Sequence, residues 1–306
     1  MLELLVIGEC VADIVRRPDE ADRVHPGGSP ANVAHGLARL GRPVTLHTQL
    51  GADEEGRLIT AHLASAGVAV RTDGSPGPTP KAVVTLDAGG RATYDFDIHW
   101  TLAPVPDGTA PDHVHTGSLA AVMAPGADTV LARVASLRAS ATVSYDPNVR
   151  PELMGDHAGA VRRVEECVAL ADVVKASDED LGWLYPDRTP DEVARGWLES
   201  DGPALVLVTR GGEGAYAVTR RAGARIGAFP ARVVDTVGAG DAFMAGALHA
   251  LAARGLLGPD GRAGLRAIGE PALTDVLRHG AAAASVAVGR AGADPPDNAE
   301  LRAALG

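Results

Sequence analysis

The sequence VVDTVGAGDAF, residues 233–243, decides the fold. It ends a predicted strand and passes through a turn of small residues, 238–240, into a helix. The helix is predicted from apolar residues at helical spacing and from a glycine that ends it: Met244, Ala247, Leu248, Leu251 and Gly255. A helix start leaves N–H groups without partners at the positive end of the helix dipole, so this turn is predicted to bind an anion.

Asp241 lies at the start of this helix and has two interpretations. An aspartate there is commonly an N-terminal cap, whose carboxylate accepts hydrogen bonds from the first helical N–H groups. The alternative is a general base beside a bound phosphate, which takes the proton from a hydroxyl group that then attacks the phosphorus. The position of Asp241 by itself leaves both interpretations open.

The composition limits the class of protein. The chain has 306 residues, of which 46% are hydrophobic and 3% aromatic, so we expect a core rich in valine, leucine and alanine. A net charge of -11 without a run of lysine or arginine argues against nucleic acid as a partner. Two cysteines, Cys10 and Cys167, are too few for a disulfide framework. The sequence has no basic leader and no apolar run of ~20 residues, which predicts a cytoplasmic protein without a membrane partner.

Strands and helices alternate along most of the chain, which predicts a parallel sheet covered by helices on both faces. The predicted strands are residues 4–7, 44–50, 113–118, 142–146, 172–177 and 204–210. A hairpin interrupts the alternation, with strands 81–87 and 92–98 joined by the turn 88–91. A further hairpin is predicted from 215–219 and 225–229. We expect the first hairpin to project from the domain as a lid.

Two motifs at opposite ends of the chain resemble those of one family. Residues 235–243 resemble the C-terminal signature of the ribokinase (PfkB) family of sugar kinases, and nine consecutive residues agree with it. Residues 27–34, GGSPANVA, are similar to the N-terminal motif of the same family. The resemblance covers the whole chain. It implies a single ribokinase-like domain over 1–306, a three-layer α/β fold with a mostly parallel central sheet and a small β-sheet lid from about 11–26 and 80–100.

The N-terminal motif implies a sugar-binding site. Gly27 and Gly28 let a polyol approach the backbone, and the Asn32 amide offers a donor and an acceptor to hydroxyl groups. Asp13 occupies the position at which family members place a carboxylate on the sugar hydroxyls. Without the second motif, residues 27–34 are read as a loop and a helix cap, and Asp13 as a solvated charge at a strand end.

A segment in the middle of the chain adds candidate substrate ligands. Residues 145–150, YDPNVR, resemble a segment of the fructokinase and 2-keto-3-deoxygluconate kinase branches. The resemblance implies that Asp146, Asn148 and Arg150 bind substrate at the carboxyl edge of the sheet. Asp-Pro-Asn is also a common turn, and Arg150 has three interpretations: a phosphate ligand, a ligand of a substrate carboxylate, or an ion-pair partner of Asp146.

The nucleotide site is predicted in two segments besides the turn 238–240. The first segment, 175–180, resembles a family motif near the metal-bound phosphate, although its matching positions differ. The second, 209–214, resembles the nucleotide loop of the family. A dinucleotide fingerprint at 212–217 lacks the helix that it needs, and no Walker A sequence is present. The predicted ATP-binding residues are Lys175, Ser177, Thr209, Gly211, Gly212, Gly214, Gly238 and Gly240.

Two kinds of metal ion follow from the resemblance. Mg²⁺ on the ATP phosphates is predicted to contact Asp180 through water, with the neighbouring Glu179 as the competing candidate. A monovalent cation such as K⁺ is predicted at Asp235, the backbone near Val237 and the loop 287–292. A separate pair, His113 and His115, has a spacing seen in metal enzymes, but no third ligand supports it, and structural histidines are favoured.

The resemblance implies ATP-dependent phosphorylation of a sugar hydroxyl group. Asp241 is the predicted base, and the backbone amides of Val237, Gly238, Ala239 and Gly240 stabilise the transferred phosphoryl group. Alternatives are a 2-keto-3-deoxygluconate kinase, a nucleoside kinase and a catalytically silent sugar-binding regulator. An NAD-dependent oxidoreductase is rejected because no acidic residue follows at the ribose-binding position.

The lid sequence carries two further hypotheses. Tyr94, Phe96 and Ile98 form an apolar strip that predicts a homodimer through the lid. Fructokinases and 2-keto-3-deoxygluconate kinases usually carry an arginine in this strand, where this chain has Asp95 and Asp97. The carboxylate of a sugar acid would be repelled by these aspartates, so a neutral sugar, fructose first, is favoured over a sugar acid. Arg150 is the opposing observation, since it would supply a positive charge from the other side.

Overall fold

The computed structural model describes residues 2–18, 20–74, 77–87, 92–104, 110–199 and 202–306. The turn predicted at 88–91 lies outside the described residues. The strands within those ranges are β1 (Leu4–Ile7), β2 (Val11–Arg16), β3 (Arg23–Gly27), β4 (Val44–Thr48), β5 (Ala69–Thr72), β6 (Lys81–Leu86), β7 (Ala92–Asp97), β8 (His113–Gly117), β9 (Thr142–Asp146), β10 (Val173–Ser177), β11 (Leu205–Thr209), β12 (Ala215–Val218) and β13 (Gly223–Ile226).

Helices connect most of these strands. They are α1 (Ser29–Arg39), α2 (Glu54–Ser65), α3 (Gly126–Leu137), α4 (His157–Leu170), α5 (Asp178–Leu184), α6 (Pro190–Glu199), α7 (Ala239–Ala253), α8 (Arg262–Ala267), α9 (Glu270–Ala287) and α10 (Asn298–Leu305). Among the helices of the described ranges, none is long and apolar enough to cross a membrane.

The central sheet has nine strands in the order β13-β12-β11-β10-β9-β8-β1-β4-β5. The strands from β11 to β5 run parallel, and β12 and β13 are antiparallel additions at one edge. One face packs on α1, α2, α7 and α9, and the other on α3 to α6. Strands covered on both faces need apolar side chains in both directions, which explains the runs of valine and leucine. The predicted three-layer α/β fold is confirmed.

A second sheet stands apart from the first, with four strands in the order β3-β2-β6-β7. Strands β6 and β7 are the predicted hairpin, and β2 pairs with β6 in parallel. The resemblance includes residues 11–26 in the lid without locating its strands, and β3 forms at their end. It occupies the edge of this sheet, where a proline without an N–H group is tolerated.

Other differences from the sequence expectations are small. Strand β13 begins two residues before its predicted position at 225–229. The edge strand β5, in which all residues but Val70 are exposed, gave no clear sequence pattern. His113 and His115 are buried in β8 and hydrogen-bond to the hydroxyl groups of Thr142 and Ser144 in the neighbouring strand. Burial lowers the pKa of both histidines to about 3, so they are neutral structural groups.

The parallel strands end together at one edge of the central sheet, and a buried carboxylate lies there. Glu9 follows β1, is 2% exposed and accepts a hydrogen bond from Ala120 N at 2.9 Å. Burial raises the pKa of Glu9 to about 7, against hydrogen bonds from the backbone and from Ser118 and with a small contribution from the charge of Asp241. Ser118 and Asn148, after β8 and β9, have left-handed backbones, with φ of 54° and 35°. Strained backbone of this kind is concentrated at functional sites.

We expect Glu9→Gln to change the pH dependence of stability. In the unfolded chain Glu9 loses its proton above pH 4.5, whereas in the native state it keeps the proton up to about pH 7. The contribution of Glu9 to the free energy of unfolding is therefore lost as the pH rises from 4.5 to about 7. A shift of this size corresponds to about 3 kcal/mol. The variant keeps an acceptor for Ala120 N, so its free energy of unfolding should fall less than that of the wild type between pH 5 and pH 8. Denaturant titrations across this range measure the difference, and the exposed Glu54→Gln is the matched control. Parallel curves for wild type and Glu9→Gln would contradict it.

Candidate active site

The centre of the site is formed by two helices whose first turns lie next to each other. Helix α1 begins after Gly28, with φ of 101°, and α7 after Gly238, with φ of 73°. A β-carbon on Gly28 would lie 2.4 Å from the carbonyl oxygen of Glu9, and one on Gly238 would lie 2.6 Å from Cβ of Ala293. Glycine is therefore required at both helix starts by conformation and by space.

Asp241 is the third residue of α7, and its side chain is directed at α1. Its carboxylate accepts hydrogen bonds from Ser29 Oγ at 2.6 Å and Asn32 Nδ2 at 2.8 Å. No side chain caps the start of α7, so Asp241 is not the N-terminal cap of the first interpretation. Carboxylates are buried in proteins when hydrogen bonds hold them, and Asp241 is 8% exposed. The two sequence motifs are thus joined through one carboxylate.

The turn before α7 presents free N–H groups next to this carboxylate. Val237 N donates to Asp235 Oδ1 at 3.0 Å, and Ala239 N donates to Thr236 O at 3.2 Å. Within the described ranges, the N–H groups of Gly238, Gly240 and Asp241 make no hydrogen bond. These donors and the helix dipole favour an anion at the turn. Four backbone amides were predicted to stabilise the transferred phosphoryl group. Those of Val237 and Ala239 already have partners, which leaves the amides of Gly238 and Gly240.

Asp235 fixes the turn to the loop that follows α9. Its second carboxylate oxygen accepts a hydrogen bond from Gly292 N at 2.9 Å, and its own N–H group donates to Val288 O at 3.2 Å. The hydrogen bonds from Gly292 and Val237 lower the pKa of Asp235, so it is ionised at neutral pH. The structure thus brings together the three segments of the predicted cation site: Asp235, the backbone of Val237 and the loop 287–292.

Asp146 and Lys175 form a buried ion pair at the carboxyl edge of the sheet. Lys175 Nζ lies 2.8 Å from Asp146 Oδ2, and the side chains are 4% and 1% exposed. Asp146 Oδ1 also accepts a hydrogen bond from Asn148 N at 3.1 Å. The predictions assign Asp146 to the substrate and Lys175 to ATP, whereas here each holds the other. Lys175 nevertheless lies close to the turn, because a β-carbon on Gly240 would be 2.9 Å from its Nζ.

Asp13, on β2 of the second sheet, is the least satisfied of the predicted substrate ligands. Among the described residues, no hydrogen bond reaches its carboxylate. Burial raises its pKa to about 6, and the charge of Arg150 opposes this shift. A β-carbon on Gly27 would lie 2.1 Å from Asp13 Oδ2, so the first glycine of the motif makes room for this carboxylate. A carboxylate with unused acceptors suits a polyol.

Arg150 is exposed and bonds to the loop in which it lies. It donates to Asn148 Oδ1 at 3.0 Å and to Val149 O at 2.8 Å. The hypothesis of an ion pair with Asp146 is wrong, because Lys175 occupies that carboxylate. Asn148 Nδ2 in turn donates to Ser118 Oγ at 3.4 Å, which connects the loop after β9 to the end of β8.

The predicted metal contacts lie at the start of α5. Asp180 and Ser177 form a capping box, in which each side chain accepts a hydrogen bond from the backbone N–H group of the other. The second oxygen of Asp180 accepts from Val149 N at 2.8 Å, while Glu179 is exposed. Among the described residues, no group of three or more histidine, cysteine, aspartate or glutamate side chains is arranged to hold a metal ion. Asp180 therefore has a structural role at α5 whatever it does for a metal.

The predicted nucleotide loop follows β11. Thr209 ends that strand, and Gly211–Glu213 form a 3-10 turn with exposed Gly212. Gly214 has φ of 93°, and a β-carbon there would lie 2.1 Å from Ile226 O. The close approach of β13, which pairs with β12, therefore requires glycine at 214. Gly211 and Gly212 are exposed, and Thr209 is half-buried.

Three site residues were missed from the sequence: Glu9, Ser29 and Ser118. Ser29 was inside the quoted motif, and its spacing of three residues from Asn32 places both on one helix face. That spacing was a usable signal. Glu9 and Ser118 gave none, because Glu9 bonds to Ala120, 111 residues away in sequence, and Ser118 bonds to Asn148, 30 residues away.

Comparisons with known proteins agree with this geometry. The family model described as pfkB family carbohydrate kinase matches residues 1–300. A fructokinase of Klebsiella pneumoniae is 36% identical over 86% of this chain and 88% of its own length. A fructokinase of Rhizobium leguminosarum bv. trifolii is 33% identical over 83% of this chain and 81% of its own.

Solved structures of fructokinases share the fold. The Xylella fastidiosa enzyme with bound ATP is 27% identical, with a TM-score of 0.86 and coverage of 99% of this chain and 98% of that one. A Vibrio cholerae O395 double mutant, bound to fructose, ADP and potassium ion, is 27% identical, with a TM-score of 0.84 and coverage of 100% and 99%. With the family model spanning nearly the whole sequence, the chain belongs to the pfkB family of carbohydrate kinases.

Proposed function

We propose that the protein is an ATP-dependent fructokinase. The observation that carries the proposal is the carboxylate of Asp241, which Ser29 and Asn32 hold beside the free N–H groups of a helix-opening turn. A base and an anion site in contact are what a kinase needs to join a hydroxyl group to a phosphoryl group. The curated relatives named fructokinase support fructose as the acceptor.

In the proposed reaction Asp241 accepts the proton of the sugar hydroxyl group as that oxygen attacks the γ-phosphorus of ATP. The bond from the γ-phosphorus to the β–γ bridging oxygen breaks, and ADP leaves. Ser29 and Asn32 keep the Asp241 carboxylate in one orientation. The N–H groups of Gly238 and Gly240 stabilise negative charge on the transferred phosphoryl group, with Ala239 between them too small to obstruct it.

The sugar is proposed to lie between the two sheets. Its ligands are Asp13, Gly27, Gly28, Asn32, Asn148 and Arg150, with Asp146 acting behind them through Asn148 N. The second sheet is the proposed lid, from about 11–26 and 80–100 of a single domain. One interaction supports that role: burial raises the pKa of Asp13 on the second sheet, and the charge of Arg150, at the edge of the central sheet, opposes that rise. A closed lid excludes water, which would otherwise compete as the acceptor.

The proposed nucleotide ligands are Ser177, Thr209, Gly211, Gly212, Gly214, Gly238 and Gly240, with Lys175 behind the turn. Mg²⁺ supplies charge neutralisation on the ATP phosphates when it is bound. Asp180 and exposed Glu179 fit a contact through water better than direct ligation, because both oxygens of Asp180 already accept backbone hydrogen bonds. The use of ATP supports a cytoplasmic location.

The second sheet also presents an apolar strip that supports a homodimer. Tyr94 and Phe96 are 63% and 38% exposed, and their rings stack with centroids 6.3 Å apart. An exposed strip on an edge strand is a surface that a second copy can cover. Light scattering at micromolar concentration distinguishes the proposed dimer from a monomer.

We predict that fructose is the preferred acceptor. Asp95 and Asp97 are exposed on β7, and neither attracts a substrate carboxylate. Values of kcat/KM for fructose, ribose, a nucleoside and 2-keto-3-deoxygluconate under one condition test this. Fructose should exceed the sugar acid by ~10-fold or more, the scale of one differential contact. A tenfold preference for the acid would instead assign Arg150 to its carboxylate, and sugar binding without turnover would indicate a silent regulator.

Asp241→Asn should lower kcat by roughly 10²-fold or more while ATP binding is retained, because an amide cannot accept the hydroxyl proton. The variant keeps an acceptor for Ser29 but loses one oxygen facing Asn32. Asp128→Asn is the matched control, because it removes an exposed carboxylate from the first turn of another helix, α3. Single-turnover kinetics separate the chemical step from binding. Turnover within threefold of the wild type would remove Asp241 from the proton transfer.

We expect K⁺ to activate the enzyme through Asp235. The residues fit a monovalent cation, because an ionised carboxylate lies between two backbone segments at the anion-binding turn. Rates in K⁺ should exceed those in tetramethylammonium at equal ionic strength by several-fold. Asp235→Asn should reduce this ratio towards one. Equal wild-type rates in the two salts would contradict a cation site.

A further inference from the structure

Lys175 places a buried ammonium group behind the turn that is proposed to bind phosphate. Its Nζ is 2.8 Å from Asp146 Oδ2, and only 4% of the side chain is exposed. A β-carbon on Gly240 would lie 2.9 Å from Nζ, closer than any real β-carbon lies to a heavy atom. The absence of a side chain at Gly240 therefore lets the ammonium group reach the backbone of the turn.

The surroundings keep this group charged. Burial alone would lower the pKa of Lys175, but the carboxylates of Asp146, Asp180 and Asp241 outweigh it and raise the pKa above its ordinary value. Burial holds the pKa of neighbouring His115 at about 3, with help from the charges of His113 and Lys175. Lys175 thus carries the positive charge at this end of β10 throughout the neutral pH range.

We propose that Lys175 is a positioning residue for phosphoryl transfer. Its ammonium group, held by Asp146, supplies a fixed positive charge behind the Gly238–Gly240 turn. This charge strengthens the interaction between the turn and the transferred phosphoryl group. This role rests on the proposed kinase function. It replaces direct ligation of ATP by Lys175, since the group is buried and already bonded. Asp146 likewise acts on the cation rather than on the sugar.

The physical reason is the low dielectric of the site. A charge fixed beneath backbone donors acts on the developing negative charge without moving during the reaction, and it is weakly screened because water is excluded. Asp241 lies in the first turn of the helix that begins there and would repel a phosphate. One cation among several carboxylates offsets that repulsion where the phosphoryl group passes.

The test must separate this role from mere stabilisation of the fold. Removing Lys175 alone would leave Asp146 buried without a partner, which destabilises proteins. The double variant Asp146→Asn/Lys175→Met removes both charges and keeps the volume. Lys175→Gln is the second variant, whose amide donates to Asp146 without a charge. The matched control is Asp172→Asn/Arg262→Met, which removes an ion pair of 2.8 Å at the opposite end of the same sheet.

For both Lys175 variants we expect kcat with fructose to fall ~100-fold, the scale of losing one oxyanion donor, while KM for fructose changes less than threefold. Affinity for a non-hydrolysable ATP analogue, measured by calorimetry, should fall by ~10-fold, with affinity for ADP unchanged, since the cation lies behind the γ-phosphate position. The control should keep kcat within threefold. Thermal melting identifies the folded variants.

A folded variant that turns over within threefold of the wild type overturns the proposal, as does an equal loss of affinity for ADP and the ATP analogue. Failure of both variants to fold would also overturn it, because the pair would then serve the fold. A wild-type protein that binds the analogue more tightly than ADP through Lys175 but phosphorylates no sugar would contradict the proposed fructokinase function instead. The nucleotide measurements therefore distinguish the two failures.

Discussion

The hydrogen bonds from Ser29 and Asn32 to Asp241 are the interaction on which the rest of the site depends. They connect residues 212 and 209 positions apart, and they do so at the starts of two helices. A buried carboxylate without such donors would be costly, and donors without the carboxylate would be left unpaired. Each motif therefore needs the other in place. Helices α1 and α7 pack on the same face of the sheet, which brings their first turns together.

Negative charge is concentrated around this point, and the fold neutralises each carboxylate differently. Asp180 accepts backbone N–H groups, Asp146 has an ammonium partner, and burial leaves Glu9 partly protonated near neutral pH. Asp241 alone is held by side chains of a neighbouring helix and lies next to free backbone donors. Among these groups it is the carboxylate that lies beside an anion site. It is therefore the one proposed as the base that takes the proton of the sugar hydroxyl group.

The sequence predicted what depends on local pattern. Buried runs of valine and leucine gave the parallel strands, and the small-residue turn before an apolar helix gave the anion site. It did not predict contacts between distant segments, such as Glu9 with Ala120 or Lys175 with Asp146. The family resemblance assigned Lys175 to ATP because it lies near the nucleotide motif, and only packing shows that it is buried. Strand β3 was missed because an edge strand tolerates the proline that marks a turn.

The path of the chain explains how the second sheet and the site are coupled. The chain leaves the central sheet at Glu9 and enters β2, which carries Asp13. It returns through β3 and passes over its own point of departure, where Gly28 packs on the carbonyl group of Glu9 with no room for a β-carbon. Helix α1 then begins at once and delivers Ser29 and Asn32 to Asp241. The end of β3 is therefore separated by one residue from helix α1, which carries the side chains that hold Asp241. The proposed substrate contact at Asp13 and the orientation of Asp241 share a single backbone crossing, so the proposed closure of the second sheet would be mechanically linked to alignment of the proposed base.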